Sequence, residues 1–315
     1  MPLSKRFMTN LSQNLNIGIV RKLPAQEALM AIKERGIVDS HELLELLSPS
    51  QVQEIFDLDA WNFDQVNIEK MEEWLENLFT ANSAVAVKAF HELDIELIAF
   101  LLKTQTEIYH LEMGEDPIES PEQALYTPDG RYLVVFSGST VWKYILEQLF
   151  ARDLDFSLRL LESVRYETAS GLEEEALHWR DGRLQDLGFS PLAELKSILQ
   201  KVNPDMPLPP LPDNIIEGDE SVQPGLLKLA ASKGVFEKAY DALPEKDRPR
   251  VMREFIATCN QVHLAYGRDA GERQALTETI TYVTLMIEKA LEYRSIDALA
   301  KTSVKKLFQI GHSLK

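Results

Sequence analysis

Asn67-Ile68-Glu69-Lys70-Met71-Glu72-Glu73-Trp74-Leu75-Glu76-Asn77-Leu78-Phe79 is the stretch on which the fold class turns. Ile68, Met71, Leu75, Leu78 and Phe79 recur at steps of three and four and share one helical face, whereas Glu69, Glu72, Glu73 and Glu76 fall elsewhere. One stripe is buried and the other wet, so the spacing predicts an amphipathic helix opening near Asn67. Upstream, Leu23-Pro24 places a proline where a first helical turn tolerates it, and Gly36 ends that run. Asp39 with Glu42, and Ser48-Pro49-Ser50-Gln51, carry the pattern of a capping box, which predicts two further helix starts.

Downstream the pattern changes. Thr106-Glu107-Ile108-Tyr109-His110-Leu111 and Tyr132-Leu133-Val134-Val135-Phe136 are aromatic and aliphatic, and Thr127-Pro128-Asp129-Gly130 has turn chemistry. A small antiparallel insert near 104–136 is expected, with Ala124 to Tyr126 as the strand before the turn. Helices resume from Val141 to about Val164 and from Leu172 to Leu187; Ser190-Pro191 starts another that runs to about Val202. Residues 203–225 contain 6 of the 15 prolines, which excludes helix and central strand there. The expected organisation is a leader segment, 1–22, a helical array with the β insert, 23–202, a proline-rich linker, 203–225, and a helical bundle, 226–315. Within the bundle, helices are expected at Leu226 to Ala242, Arg248 to Tyr266, Glu272 to Tyr293 and Ser295 to Phe308. The fold class is mainly α.

The 315 residues carry 33 Lys+Arg against 50 Asp+Glu, a formal net charge of -17. The excess is local: residues 36–120 hold 19 acidic and 3 basic side chains. Such a surface repels phosphate backbones, so no nucleic-acid partner is expected. The single cysteine, Cys259, excludes an intramolecular disulfide and fits a reducing compartment; with no secretory signal in the first residues, a cytoplasmic protein is expected. No apolar run approaches the roughly 18 residues of a membrane span, so no membrane insertion is expected.

The most distinctive text runs from Glu173 to Phe189, Glu-Glu-Glu-Ala-Leu-His-Trp-Arg-Asp-Gly-Arg-Leu-Gln-Asp-Leu-Gly-Phe. Together with Ser48-Pro49-Ser50-Gln51, Asp57-Leu58-Asp59-Ala60-Trp61 and Leu307-Phe308-Gln309-Ile310-Gly311, it resembles the bacterial domain-of-unknown-function family numbered 6178 over nearly the whole chain. That resemblance implies no activity and no catalytic or binding residues. Residues 20–60 also resemble, loosely, the helical cytosolic module of bacterial magnesium channels, whose sequences alternate Leu-Pro or Ser-Pro starts with Glu/Leu-rich short helices.

Within the distinctive block, Trp179 is expected to anchor packing, and Arg180, Arg183 and Asp186 are spaced for ion pairs. Two arginines beside a tryptophan also suit a partner's carboxylate or phosphate, so Trp179, Arg180, Arg183 and Asp186 form the candidate interaction cluster. Other chemistry is thin. Glu107/His110 and Glu175/His178 both spell Glu-x-x-His, the pairing of di-iron bundles, but an offset of three on a strand sends the first pair to opposite faces. Asp57-Leu58-Asp59, with Asn62 and Asp64, departs from a calcium loop at Trp61 and Ile68 and reads better as a solvated helix end. Gly-x-Gly-x-x-Gly, Gly-x-x-x-x-Gly-Lys and Gly-x-Ser-x-Gly are absent. No catalytic residue, metal ligand or cofactor is therefore expected, and no residue pattern specifies an oligomeric state. The leading expectation is a non-enzymatic interaction or scaffold protein with an unidentified protein partner. The alternatives are a divalent-cation-responsive domain, from the acidic front, and an enzyme whose site is assembled from scattered residues.

Overall fold

The computed structural model describes residues 16–115, 117, 123–186, 192–209, 211 and 234–314. The chain divides into two compact units, Met1–Arg180 and Asp181–Lys315. It is mainly helical with two small antiparallel sheets.

The first unit opens with α1 (Ile17–Val20), α2 (Ala25–Arg35), a 3-10 turn at Val38–Ser40, α3 (His41–Leu44) and α4 (Pro49–Asp59). The capping box at Ser48 forms in full: the Ser48 hydroxyl accepts from the Gln51 backbone and the Gln51 side chain accepts from the Ser48 N–H. Gln51 also donates to the carbonyl oxygens of Val20 and Leu23, at 2.9 and 2.7 Å, so one residue caps α4 and satisfies the chain entering α2. The box expected at Asp39 does not form. Asp39 lies inside the 3-10 turn, and α3 starts on Ser40 without a side-chain cap.

A short hairpin, β1 (Trp61–Asn62) and β2 (Gln65–Val66), leads into α5 (Ile68–Phe90), whose start is capped by Asn67. The amphipathic stripe behaves as the spacing demands, with Met71, Leu75, Leu78 and Phe79 buried. Beyond it, Asn82 leaves the helical region and its side chain accepts from the N–H groups of Ala84 and Val85, so it caps a second helical segment. The consequence is a sharp bend. Phe79 and Phe90 meet edge to face at 5.2 Å, where a straight helix would set them about 16 Å apart.

Next come α6 (Ile95–Gln105), β3 (Thr106–His110), β4 (Ala124–Tyr126), β5 (Tyr132–Phe136), α7 (Val141–Arg152), α8 (Leu154–Tyr166) and α9 (Ala169–Asp186). The sheet order is β3-β5-β4, all antiparallel, with Thr106 opposite Phe136 and Tyr126 opposite Leu133. At the turn, Thr127 donates to Asp129 at 2.6 Å, and Gly130 takes φ 73°, which glycine adopts without steric cost. The helical stretch expected from Val141 to Val164 is divided in two, because Asp153 turns extended and its carboxylate caps Phe156 at 2.9 Å. Packing runs α2 on α4, α4 on α5, α5 on α7, α7 on α8 and α8 on α6, around a core that includes Trp142, Phe56, Phe79 and Phe90.

The second unit contains α10 (Leu192–Leu195) with a 3-10 turn at Lys196–Leu199, then α11 (Val235–Asp241), α12 (Arg248–Ala265), α13 (Arg273–Arg294), α14 (Ala298–Lys301) and α15 (Val304–Ser313). Side-chain amides stitch the 194–199 stretch to the bundle: Gln261 donates to Glu194 O at 2.9 Å and Gln309 to Ser197 O at 3.0 Å. The helix expected from Ser295 to Phe308 is broken at Thr302-Ser303, where Ser303 caps α15. Gly311 lets α13 and α15 touch, since a methyl group there would stand 1.7 Å from the Met286 carbonyl oxygen. Of the proline-dense segment, 210 and 212–225 lie outside the described residues, as does 226–233 of the first expected bundle helix. The described part, 203–209 and 211, forms neither helix nor strand, and Tyr293 and Arg294 donate to the Asp205 carboxylate and the Met206 carbonyl.

Candidate functional site

Helix α4 ends at Asp59 with carbonyl groups that no further turn can satisfy. The chain reverses at once through β1 and β2, with Phe63 at the tip in the left-handed region, φ 57°, and its ring exposed. Helix α9 supplies what this corner lacks. Glu173 accepts from the Val66 N–H at 3.1 Å. Two turns on, Arg180 donates through Nε to the Asp57 carbonyl at 2.9 Å and through Nη1 to the Phe63 carbonyl at 2.8 Å. Its guanidinium carbon also stands 4.8 Å from the centre of the Trp61 ring. Glu173, Ala176 and Arg180 recur at three and four residues, so one face of α9 faces inward, with Leu172 and Ala176 buried on it.

Beneath the corner, Asp59 is 5% exposed. It accepts from Lys33 Nζ, from Lys70 Nζ at 2.9 Å and from Trp74 Nε1 at 2.9 Å, which joins α2, α4 and α5 at one carboxylate. Asp57 is fully buried and accepts from Gln53 Nε2 at 3.1 Å. The solvated helix end expected here is therefore overturned: both aspartates are interior, and lysines from other helices compensate the charge of Asp59.

The four candidate residues separate. Arg180 is 6% exposed and holds the corner. Arg183 is half-buried with polar partners of its own, and Asp186, the last residue of α9, is exposed. Trp179, expected as the packing anchor, is 49% exposed and touches the His178 ring edge-on at 5.6 Å. The roles exchange because one residue is about 100° of helix, and the arginine is the one that lies on the line through Glu173 and Ala176.

Elsewhere several titratable groups are engaged in the fold. Burial pushes the Cys259 thiol above its ordinary range, which makes it a poor nucleophile. Burial lowers the pKa of the His263 imidazole, whose Nε2 donates to the Asp269 carbonyl at 2.8 Å and whose Nδ1 stands 3.0 Å from the Thr279 hydroxyl. Burial pushes the Tyr282 phenol up to about 12. The Glu107 carboxylate accepts from Tyr109 at 2.7 Å, while Glu175 and His178 are exposed on α9. Among the described residues no three His, Cys, Asp or Glu side chains stand together to hold a metal ion, and no helix is long and apolar enough to cross a membrane. An apolar cavity of about 10 Å³ between Leu44, Leu47, Val52, Ile55, Phe56, Trp74 and Leu78 has room for one water-sized sphere and no more.

A family model described as a family of unknown function, DUF6178, matches residues 1–315. The chain belongs to this family. No curated protein and no solved structure matches it, so the likeness of residues 20–60 to a magnesium-channel module has no support. In this DUF6178 chain three of the four segments that carry the family resemblance meet at one corner of the first unit. Ser48–Gln51 opens α4, Asp57–Trp61 closes it, and the described part of Glu173–Phe189 supplies the clamp on that closure. Leu307–Gly311 holds the glycine against which Met286 packs in the other unit. Sequence reasoning missed Lys33, Lys70, Trp74 and Glu173 as members of the DUF6178 corner. Their spacings along the chain, 26, 11, 15 and 107 residues from their partners, leave no local pattern to find.

Proposed function

We propose that this DUF6178 chain is a non-enzymatic interaction protein that receives a partner on the outward face of α9. The observation that carries the proposal is Trp179, an indole 49% exposed on a helix that Glu173 and Arg180 fasten about a third of a turn away from it. A large aromatic with two side-chain torsions loses little conformational freedom on binding, and tryptophan is enriched among residues that dominate interface energetics. The single reduced-type cysteine supports a cytoplasmic setting.

Affinity capture from the native cell tests this directly. The chain is expected to recover one defined partner well above background, and Trp179→Ala, which leaves the Arg180 contacts in place, is expected to lose it with an unchanged melting temperature. Recovery of the chain alone, or of the same partner by both forms, overturns the proposal.

A further inference from the structure

Resting on that reading, we infer that the occupant of the α9 face is a lysine- or arginine-bearing segment of a partner protein, bound through cation–aromatic contact with Trp179 and charge pairing with Glu174 and Glu175. Three features of the first unit converge on this chemistry. Trp61, Tyr132 and Tyr166 each already carry a guanidinium of the chain itself, from Arg180, Arg131 and Arg165 at 4.8, 5.7 and 5.6 Å from the ring centres. Trp179, the ring type best suited to a cation, has no cation over it among the described residues, the His178 ring being its aromatic neighbour.

The second feature is the setting of that ring. Glu174, Glu175, His178 and Trp179 are exposed on successive turns of one helix, with exposed Glu167 just before it. None of these three carboxylates has an ion pair or hydrogen bond among the described residues. The inward residues Glu173 and Arg180 are satisfied, whereas Glu175, four residues before Trp179, shares its strip of the helix, and Glu174, four residues before His178, lies on the adjoining exposed strip.

The third is the charge of the whole unit. Residues 1–180 carry 15 basic and 31 acidic side chains, a net charge of -16. A field of that sign draws a basic segment in and disfavours an acidic one, and makes the association weaken with salt.

Labelled oligolysine, with oligoglutamate as control, provides the probe, and acrylamide quenching locates it. Trp61, Trp74 and Trp142 are buried, so quenchable emission comes from Trp179. Oligolysine is expected to shield Trp179, and Glu174→Gln with Glu175→Gln is expected to weaken its binding about tenfold. Removing the same charge at exposed sites on α5, Glu69→Gln with Glu76→Gln, is expected to change it by less than about twofold. Equal weakening by both double variants reduces the effect to general attraction and overturns the inference, as does a Trp179 that remains quenchable. A native partner captured through Trp179 while oligolysine fails to shield that ring leaves the interaction reading standing and removes the basic segment. Capture of a second copy of the chain, or of a partner contacting α9 through acidic residues, removes it as well.

Discussion

Arg180 is the residue on which the first unit's corner depends. Its planar fork reaches two carbonyl groups from different turns while lying over an indole, a geometry that a point charge on a flexible stem cannot reproduce. Arg180→Lys keeps the charge but leaves at least one buried carbonyl without a donor, and is expected to destabilise the first unit by about 2 kcal/mol. Urea unfolding followed by tryptophan emission measures this. A midpoint equal to that of the unsubstituted chain would show that the carbonyl contacts contribute nothing. Asp59 illustrates the same scale from the acidic side: a carboxylate so deep is tolerable because two lysines and an indole N–H converge on it.

At the scale of elements, an ion pair between Arg165 and Glu115 ties the β insert to α8. Arg165 Nη2 donates to Glu115 at 2.8 Å, Arg165 Nη1 donates to the other carboxylate oxygen, and the His110 N–H shares that oxygen at 2.8 Å. The Arg165 guanidinium, then the His110 N–H, hold the Glu115 carboxyl down at about 2 against an ordinary 4.5. A carboxyl depressed in the folded state binds fewer protons than in the unfolded chain. Its contribution is therefore complete above about pH 4.5 and is lost as pH falls toward 2. Glu115→Gln is expected to melt below the unsubstituted chain at neutral pH, with the difference shrinking between pH 4.5 and pH 2. Thermal melts of both chains across that window decide the point; a difference that does not change with pH removes the electrostatic account. The other element-scale device is helix breaking by short polar side chains, at Asn82, Asp153 and Ser303. Each ends one helix by capping the next, and only the local competition between side-chain and backbone acceptors reveals it.

At the scale of the molecule, chemistry has distributed its probes unevenly. All four tryptophans lie in Met1–Arg180 and the one cysteine lies in Asp181–Lys315. Cys259 is expected to resist an aromatic disulfide reagent in the native state and to react only as urea opens its unit, because burial disfavours the thiolate. Arg180→Lys is then expected to lower the tryptophan midpoint while leaving the onset of Cys259 labelling in place. Prompt native labelling would contradict the buried thiol, and equal shifts of both probes would show that the two units melt as one.

The amino-acid order by itself determined the helical class, the Ser48 capping box, the three strands of the insert with their turn, and the family. These depend on periodicity and turn chemistry over a few residues, where backbone sterics and hydrogen bonding act within one element. It also singled out the segment 173–189 without separating the tasks inside it. Only the tertiary structure decided that Arg180 faces inward and Trp179 outward, and that Asp57 and Asp59 are interior. A helical face acquires its meaning from what packs against it, and the groups that satisfy Arg180 and Asp59 arrive from helices and a hairpin far away along the chain.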